Sequence, residues 1–182
     1  MANKYYDVLR APHQVAFDIT NNCNLRCLHC FNSSGENDVI SNELSDGEVL
    51  HFMEDLASMN LYNVCFCGGE TLLRKELMCE CIKILKPSGS HCTAVTNGLL
   101  ANPATIQQLA SAGLDGIQFS LDGLRDSHER LRNKVGIFPK VIDAMKYVLN
   151  ETELRLSIAF TPTSFNVKDF LGVYDLLVDL YK

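Results

Sequence analysis

The sequence predicts an α/β fold in which a parallel sheet is covered by helices. Two observations carry that expectation. Five strand-like segments alternate with helix-like ones along the 182 residues, the pattern of consecutive βα units. Four of the strand-like segments also run directly into short polar or glycine-rich motifs. Parallel α/β folds gather their functional residues at these carboxyl ends of strands.

The elements follow in order. His13 to Thr20 (HQVAFDIT) reads as a first strand with Val15, Phe17 and Ile19 on one face. Ser45-Asp46-Gly47-Glu48 is a capping-box pattern that opens a helix, with Val49, Phe52, Met53, Leu56 and Met59 recurring at helical spacing. Tyr62 to Cys67 is a short second strand. Leu73, Leu77, Cys81, Ile82 and Leu85 mark the next helix, which Pro87 stops. His91 to Thr96 is strand three. Asn102-Pro103 supplies an N-cap and first-turn pair for a helix ending at Gly113. Gly116 to Leu121 is strand four, followed by a long polar loop and a helix with Val141, Ile142, Met145 and Val148 inward. Leu154, Leu156, Ile158 and Phe160 alternate as strand five, and Val167 to Leu180 is a final amphipathic helix. The polar stretch 34–43 is expected to be mobile.

Composition narrows the function. With 47% hydrophobic and 21% charged residues the chain reads as one globular domain with a real core. A net charge of -6 argues against a non-specific nucleic-acid binder, which would show a basic patch. No stretch approaches the apolar length needed to span a bilayer, and the start MANKYYDVLR shows no signal-peptide pattern. Eight cysteines set among strong helix and strand patterns read as reduced thiols in a cytoplasmic protein.

Cys23, Cys27 and Cys30, spaced C-x3-C-x2-C after the first strand, carry the sharpest chemical signal. An iron–sulfur cube normally takes four thiolates, so three leave one iron open to a small molecule, as catalytic zinc sites keep a position for substrate. Three buried cysteines or a zinc site remain open on spacing alone. His29 could complete a zinc tetrahedron, but only by folding back on a very short loop. The second strand leads into Gly68-Gly69-Glu70, the third into Thr96-Asn97-Gly98 and the fourth into Ser120-Leu121-Asp122-Gly123. Paired glycines let backbone approach a ligand, and an adjacent carboxylate suits an ammonium. Four such strand ends converging on one face describe a site.

These residues resemble a known family. The three cysteines, FCGGETLLRKEL (66–77), TNGLL (96–100) and FSLDGLRDSHERLRNKVGIF (119–138) are similar to the radical S-adenosylmethionine (radical SAM) enzymes, from about residue 13 onward. The SLDG segment with His128 and Arg132 most resembles members with SPASM-type C-terminal extensions, including maturases of ribosomally made peptides and relatives acting on haem precursors.

The resemblance implies a partial TIM-like (β/α) barrel with five βα units of a usual six. Residues 1–12 would be an N-terminal extension and 13–182 the radical SAM core, truncated before its last strand and any C-terminal cluster domain. It implies a [4Fe-4S] cluster on Cys23, Cys27 and Cys30, whose open iron takes the amino and carboxylate groups of SAM. Gly68, Gly69 and Glu70 would bind the methionyl amino group and Ser120 would lie near the ribose or carboxylate. Arg132 would pair with the SAM carboxylate, a role its planar fork suits. His29 would stand beside the adenine, and Thr96 and Asn97 would complete the site.

The implied reaction is reductive SAM cleavage to a 5′-deoxyadenosyl radical that removes hydrogen from substrate, with the protein positioning and shielding the cofactor. An external electron donor of flavodoxin or ferredoxin type and a peptide or small-molecule substrate are the expected partners. The barrel interior is expected to be apolar, with polar groups confined to strand ends. Thr71 stands where the family commonly has proline, which implies a looser turn. An open sheet edge implies self-association.

Cys65, Cys67, Cys79, Cys81 and Cys92 read as buried small hydrophobes, with a redox role for Cys67 open. An iron–sulfur electron-transfer module and an inactive remnant are the competing functions. Gly68, Gly69, Glu70 and Arg132 argue against the first, since a simple electron carrier needs none of them.

Overall fold

A computed structural model describes residues 12–34 and 42–182. The expected N-terminal extension, apart from Pro12, and most of the polar stretch 34–43 lie outside the described residues. Five strands, β1 (Gln14–Thr20), β2 (Asn63–Gly68), β3 (His91–Thr96), β4 (Gly116–Ser120) and β5 (Arg155–Ala159), form one sheet in the order β1-β2-β3-β4-β5. Every pairing is parallel. Between and after them run α1 (Asp46–Ser58), α2 (Lys75–Leu85), α3 (Pro103–Ala112), α4 (Arg125–Leu131), α5 (Ile137–Glu151) and α6 (Phe170–Leu180).

Sequential strand order has a geometric consequence. Right-handed crossovers that always step in one direction place their helices on one face of the sheet. The register agrees. Phe17 and Phe66 are partners on β1 and β2, and Phe17 lies 5.6 Å from the Phe52 ring of α1. Val64, Phe66, Cys92, Ala94, Ile117, Phe119 and Leu156 share that side and are buried. The opposite face carries Asp18, Cys65, Cys67, Thr93, Gln118 and Ser157, none of them buried. The expected apolar interior is therefore corrected. The helix-free face is lined with hydrogen-bonding groups along the strands, not only at their ends.

Local chemistry sets the helix ends. Ser45 caps α1 reciprocally: its backbone N–H donates to Glu48 Oε2 at 2.8 Å while its hydroxyl accepts from the Glu48 N–H. Asn102 Oδ1 accepts from the Thr105 N–H at 3.0 Å to start α3, and α2 gives way at Leu85 to a tight turn through Pro87.

Three expectations need correction. The long polar loop after strand four contains α4, where His128 and Leu131 are buried. Its short run of charges hid an apolar stripe only two residues deep. Phe52 and Met59, placed on the inward stripe of α1, are 37% and 49% exposed, because the sheet covers a narrower arc than the periodicity offered. Leu73 precedes α2 in a 3-10 turn and is also exposed. On α6, Val173 is buried, whereas Phe170, Leu171 and Tyr174 are exposed.

Candidate active site

The loop after β1 brings three thiols to the carboxyl end of the sheet. It is pinned by Leu28 N–H donating to the Leu131 carbonyl at 2.8 Å, by buried Leu25, and by Asn97 Nδ2 donating to Asn24 Oδ1 at 2.8 Å. Cys23 and Cys27 are half-buried and Cys30 is exposed; all three are free thiols. Each faces hydrogen-bond donors. The Leu25 N–H lies 3.5 Å from Cys23 Sγ, and Arg132 lies 3.8 Å from Cys27 Sγ. Burial pushes the Cys23 and Cys27 thiols up, against the Leu25 N–H and the Arg132 charge respectively. Slight burial also raises Cys30, but hydrogen bonds from Ser34 and the Asn32 backbone outweigh it and leave the thiol below its ordinary value.

The end of β2 is packed against this loop. A Cβ on Gly68 would overlap the Thr20 carbonyl, and one on Gly69 would overlap that of Asn22. Gly68 also holds φ +131°, a conformation side chains rarely adopt. The Gly69 and Glu70 N–H groups donate to the Thr20 and Asn22 carbonyls at 2.8 and 2.9 Å. The two glycines thus permit close approach of protein backbone.

The Glu70 carboxylate is 1% exposed and accepts from Thr96 Oγ1 at 2.7 Å, the Leu72 N–H at 3.1 Å and the Asn97 N–H at 2.8 Å. Burial raises its pKa, opposed by the Asn97 N–H and the Thr96 hydroxyl. Glu70 and Thr96 are engaged with each other, lashing β2 to β3. Thr71 corrects another expectation: its hydroxyl donates to the Val95 carbonyl at 2.7 Å, so the turn without proline is tied rather than loose.

The end of β4 holds a buried ionic cluster. Asp122, fully buried, meets Arg132 at 2.5 Å and His29 Nε2 at 3.2 Å through Oδ2, while Oδ1 accepts from the Thr161 N–H at 2.9 Å. Burial alone would raise its carboxyl, but the His29 hydrogen bond, the Arg132 charge and the Thr161 N–H hold it at about 2. The Asp122 N–H donates to His128 Nδ1 at 3.1 Å, which places the imidazole proton on Nε2. Burial and the Arg132 charge lower His128 to about 4. Asn166 closes the cluster by donating to the Asp122 and Thr161 carbonyls.

Arg132 and His29, chosen from sequence as ligand contacts, are brought together by Asp122. Ser120 is buried at the end of β4. Asp122, His128, Asn166 and Asn24 were missed as site residues. Asp122 left a trace as a lone acid between Leu121 and Gly123 at a strand end, where burial would demand a cation, and His128 one as part of the family resemblance; Asn24 and Asn166 left none.

Comparison with known proteins decides the family. The sequence model of the Radical SAM superfamily matches residues 17–177. The chain belongs to the radical SAM superfamily. Its members use a [4Fe-4S] cluster and SAM and are enzymes, and the parallel partial barrel matches the fold of their solved structures. The chain is 31% identical over 163 residues to an Fe-coproporphyrin III synthase of Methanosarcina barkeri, covering 90% of this chain and 40% of that protein. It is 27% identical over 164 residues to the sporulation killing factor maturation protein SkfB of Bacillus subtilis, covering 90% of this chain and 39% of that protein. The chain thus spans about two fifths of the length of these relatives. A structure of Streptococcus suis SuiB bound to S-adenosylmethionine superposes with a TM-score of 0.76 at 19% identity, over 93% of this chain and 38% of that one.

The residues of this radical SAM chain fit the family's cofactors. Three reduced thiols sit on one loop beside N–H donors, which tune cluster sulfurs. Buried Asn24 Nδ2, His29 Nδ1 and Arg132 Nε lack a hydrogen-bond partner among the described residues, and buried polar atoms in native proteins ordinarily have one. The zinc alternative finds no support. The fourth ligand it would need is engaged elsewhere, since His29 is turned to Asp122. Among the described residues no helix is long and apolar enough to cross a membrane.

Proposed function

We propose that Cys23, Cys27 and Cys30 hold the [4Fe-4S] cluster and that SAM lies across the ends of β2, β3 and β4. The single observation that carries this is the set of three free thiols on one loop at the carboxyl end of the sheet, with Cys23 against Asn97 and Cys27 against Arg132. Held there, the cluster and SAM would supply radical chemistry for taking hydrogen from a substrate. Gly68, Gly69 and Glu70 would hold the methionyl ammonium, with the Glu70 carboxylate already fixed by three protein donors. Asp122 would hold Arg132 and His29 for the carboxylate and adenine of SAM, with Ser120 near the ribose or carboxylate. Asn97 braces the cysteine loop.

A ribosomally made peptide is the substrate we favour. The helix-free face offers Asp18, Thr93, Gln118 and Ser157, groups that match peptide amides. The 31% identity to an Fe-coproporphyrin III synthase favours a haem precursor as the second reading. A flavodoxin- or ferredoxin-type protein in the cytoplasm would deliver the electron. We read residues 13–182 as the core of a longer enzyme, a reading supported by the 40% and 39% spans of its relatives.

Anaerobic reconstitution tests the site. The chain should take up about four irons, and replacing Cys23, Cys27 and Cys30 together with alanine should abolish uptake; a triple variant with unchanged iron and sulfide refutes the assignment. With dithionite, 5′-deoxyadenosine formation should rise with a precursor peptide and stay level with iron tetrapyrrole precursors of haem; the reverse result selects the second reading.

A further inference from the structure

Two thiols outside the cluster loop stand together on the helix-free face of the sheet. Cys65 and Cys67 lie two apart on β2, so their side chains project to the same side. Their sulfurs are 3.5 Å apart, and both residues are half-buried. The sequence reading of these two as buried hydrophobes is thereby corrected. They differ from Cys81 and Cys92, which are fully buried with thiols pushed up to about 12 and about 11 by burial. The geometry points to Cys65 and Cys67 as a thiol–disulfide exchange site on the wall of the barrel, taking a low-molecular-weight disulfide of the glutathione class as oxidant. This goes beyond the cluster and SAM reading and does not depend on it.

The two thiols are chemically distinct. Hydrogen bonding from Cys67, with burial opposing and the Thr93 side chain assisting, brings Cys65 down to about 6. The same contact, burial and the negative charges of Cys65 and Asp18 push Cys67 up. In register, Cys65 stands opposite the Thr93 hydroxyl, which favours a thiolate, and Cys67 opposite the Asp18 carboxylate, which disfavours one, so Cys65 is the nucleophile and Cys67 the resolving thiol.

The Cys65 thiolate attacks one sulfur of the oxidant and releases a first thiolate, leaving a mixed disulfide. Cys67 loses its proton and attacks the Cys65 sulfur, releasing the second. Two protein thiols are oxidised by two electrons, one external disulfide is reduced to two thiols, and the protons pass to the departing thiolates. Residues two apart on a strand have Cα atoms about 6.6 Å apart, near the upper end of the span a disulfide bridges. A bond formed there is readily reduced, as exchange sites require.

The purified full chain, reduced and equilibrated without oxygen in glutathione buffers of stepped ratio, is acid-quenched, alkylated and cleaved after glutamate. The peptide 55–70 carries Cys65 and Cys67 and no other cysteine. At oxidising ratios it should escape alkylation and lose two hydrogens, and dithiothreitol should reverse both changes. Cys67→Ser should trap glutathione on Cys65, whereas Cys65→Ser should load Cys67 roughly tenfold more slowly. The proposal falls if peptide 55–70 stays fully alkylated at ratios that modify exposed Cys30, or carries two glutathiones without a bridge. The readout needs neither iron nor SAM, so failure of the cluster assignment leaves it standing.

Discussion

Asp122 concentrates more consequence than any other side chain in the structure. It meets both the Arg132 guanidinium and the His29 ring and lies fully buried. Removing one partner of a buried pair leaves the other uncompensated, which costs about 3–5 kcal/mol. Asp122→Asn should lose stability on that scale in urea unfolding and weaken SAM binding in a direct titration; a change under about 1 kcal/mol would mean Arg132 finds water instead. His128 makes a separate, pH-dependent prediction. Its folded pKa is about 4 against an ordinary 6.5. The unfolded chain therefore binds the extra proton first as pH falls. Stability should be intact above pH 6.5 and decline toward pH 4. His128→Gln should flatten that decline, and an unchanged slope between those limits would assign the acid sensitivity elsewhere.

At the scale of elements, the crossing between the β1 loop and the end of β2 decides whether the site assembles. Gly69→Ala drives a methyl into the Asn22 carbonyl, and backbone cannot step aside as a flexible side chain would. A loss of more than about 2 kcal/mol is expected, with less iron taken up on reconstitution. Gly47 on α1 has nothing within 4 Å of its added Cβ, so Gly47→Ala should stabilise by about 0.5–1 kcal/mol. Equal effects at the two glycines in thermal unfolding would contradict the close-approach argument. On the other side of the β2 end, the Thr71 hydroxyl ties the turn to β3 with one hydrogen bond to the Val95 carbonyl.

For the molecule as a whole, the open sheet and α6 govern behaviour in solution. Among the described residues β1 pairs with β2 alone and β5 with β4 alone, leaving an edge at each end. Phe170, Leu171 and Tyr174 stand 55%, 72% and 61% exposed on α6. Unpaired edges and contiguous apolar surface promote association. Light scattering should show this chain self-associating with concentration, and Leu171→Glu with Tyr174→Glu should reduce it. A monomer at all concentrations would show that the edges and α6 are self-sufficient.

The sequence by itself determined the element order, the parallel sheet and the cysteine loop. Each rests on short-range pattern: alternation in the strands, the Ser45 and Asn102 caps, and C-x3-C-x2-C spacing. It also singled out Gly68, Gly69, Glu70 and Arg132 before their partners were visible. Only the tertiary structure decided what those residues hold. Glu70 closes on Thr96 and Asn97, some 26 and 27 positions away, and Arg132 reaches Cys27 across 105. Contacts at such separations leave no periodicity in the chain. Asp122 and His128 went unchosen for the same reason: their importance comes from burial, which α4, Thr161 and Asn166 impose on them from outside. The polar inner wall, too, depends on which face the helices cover, and strand order fixed that where alternation alone could not.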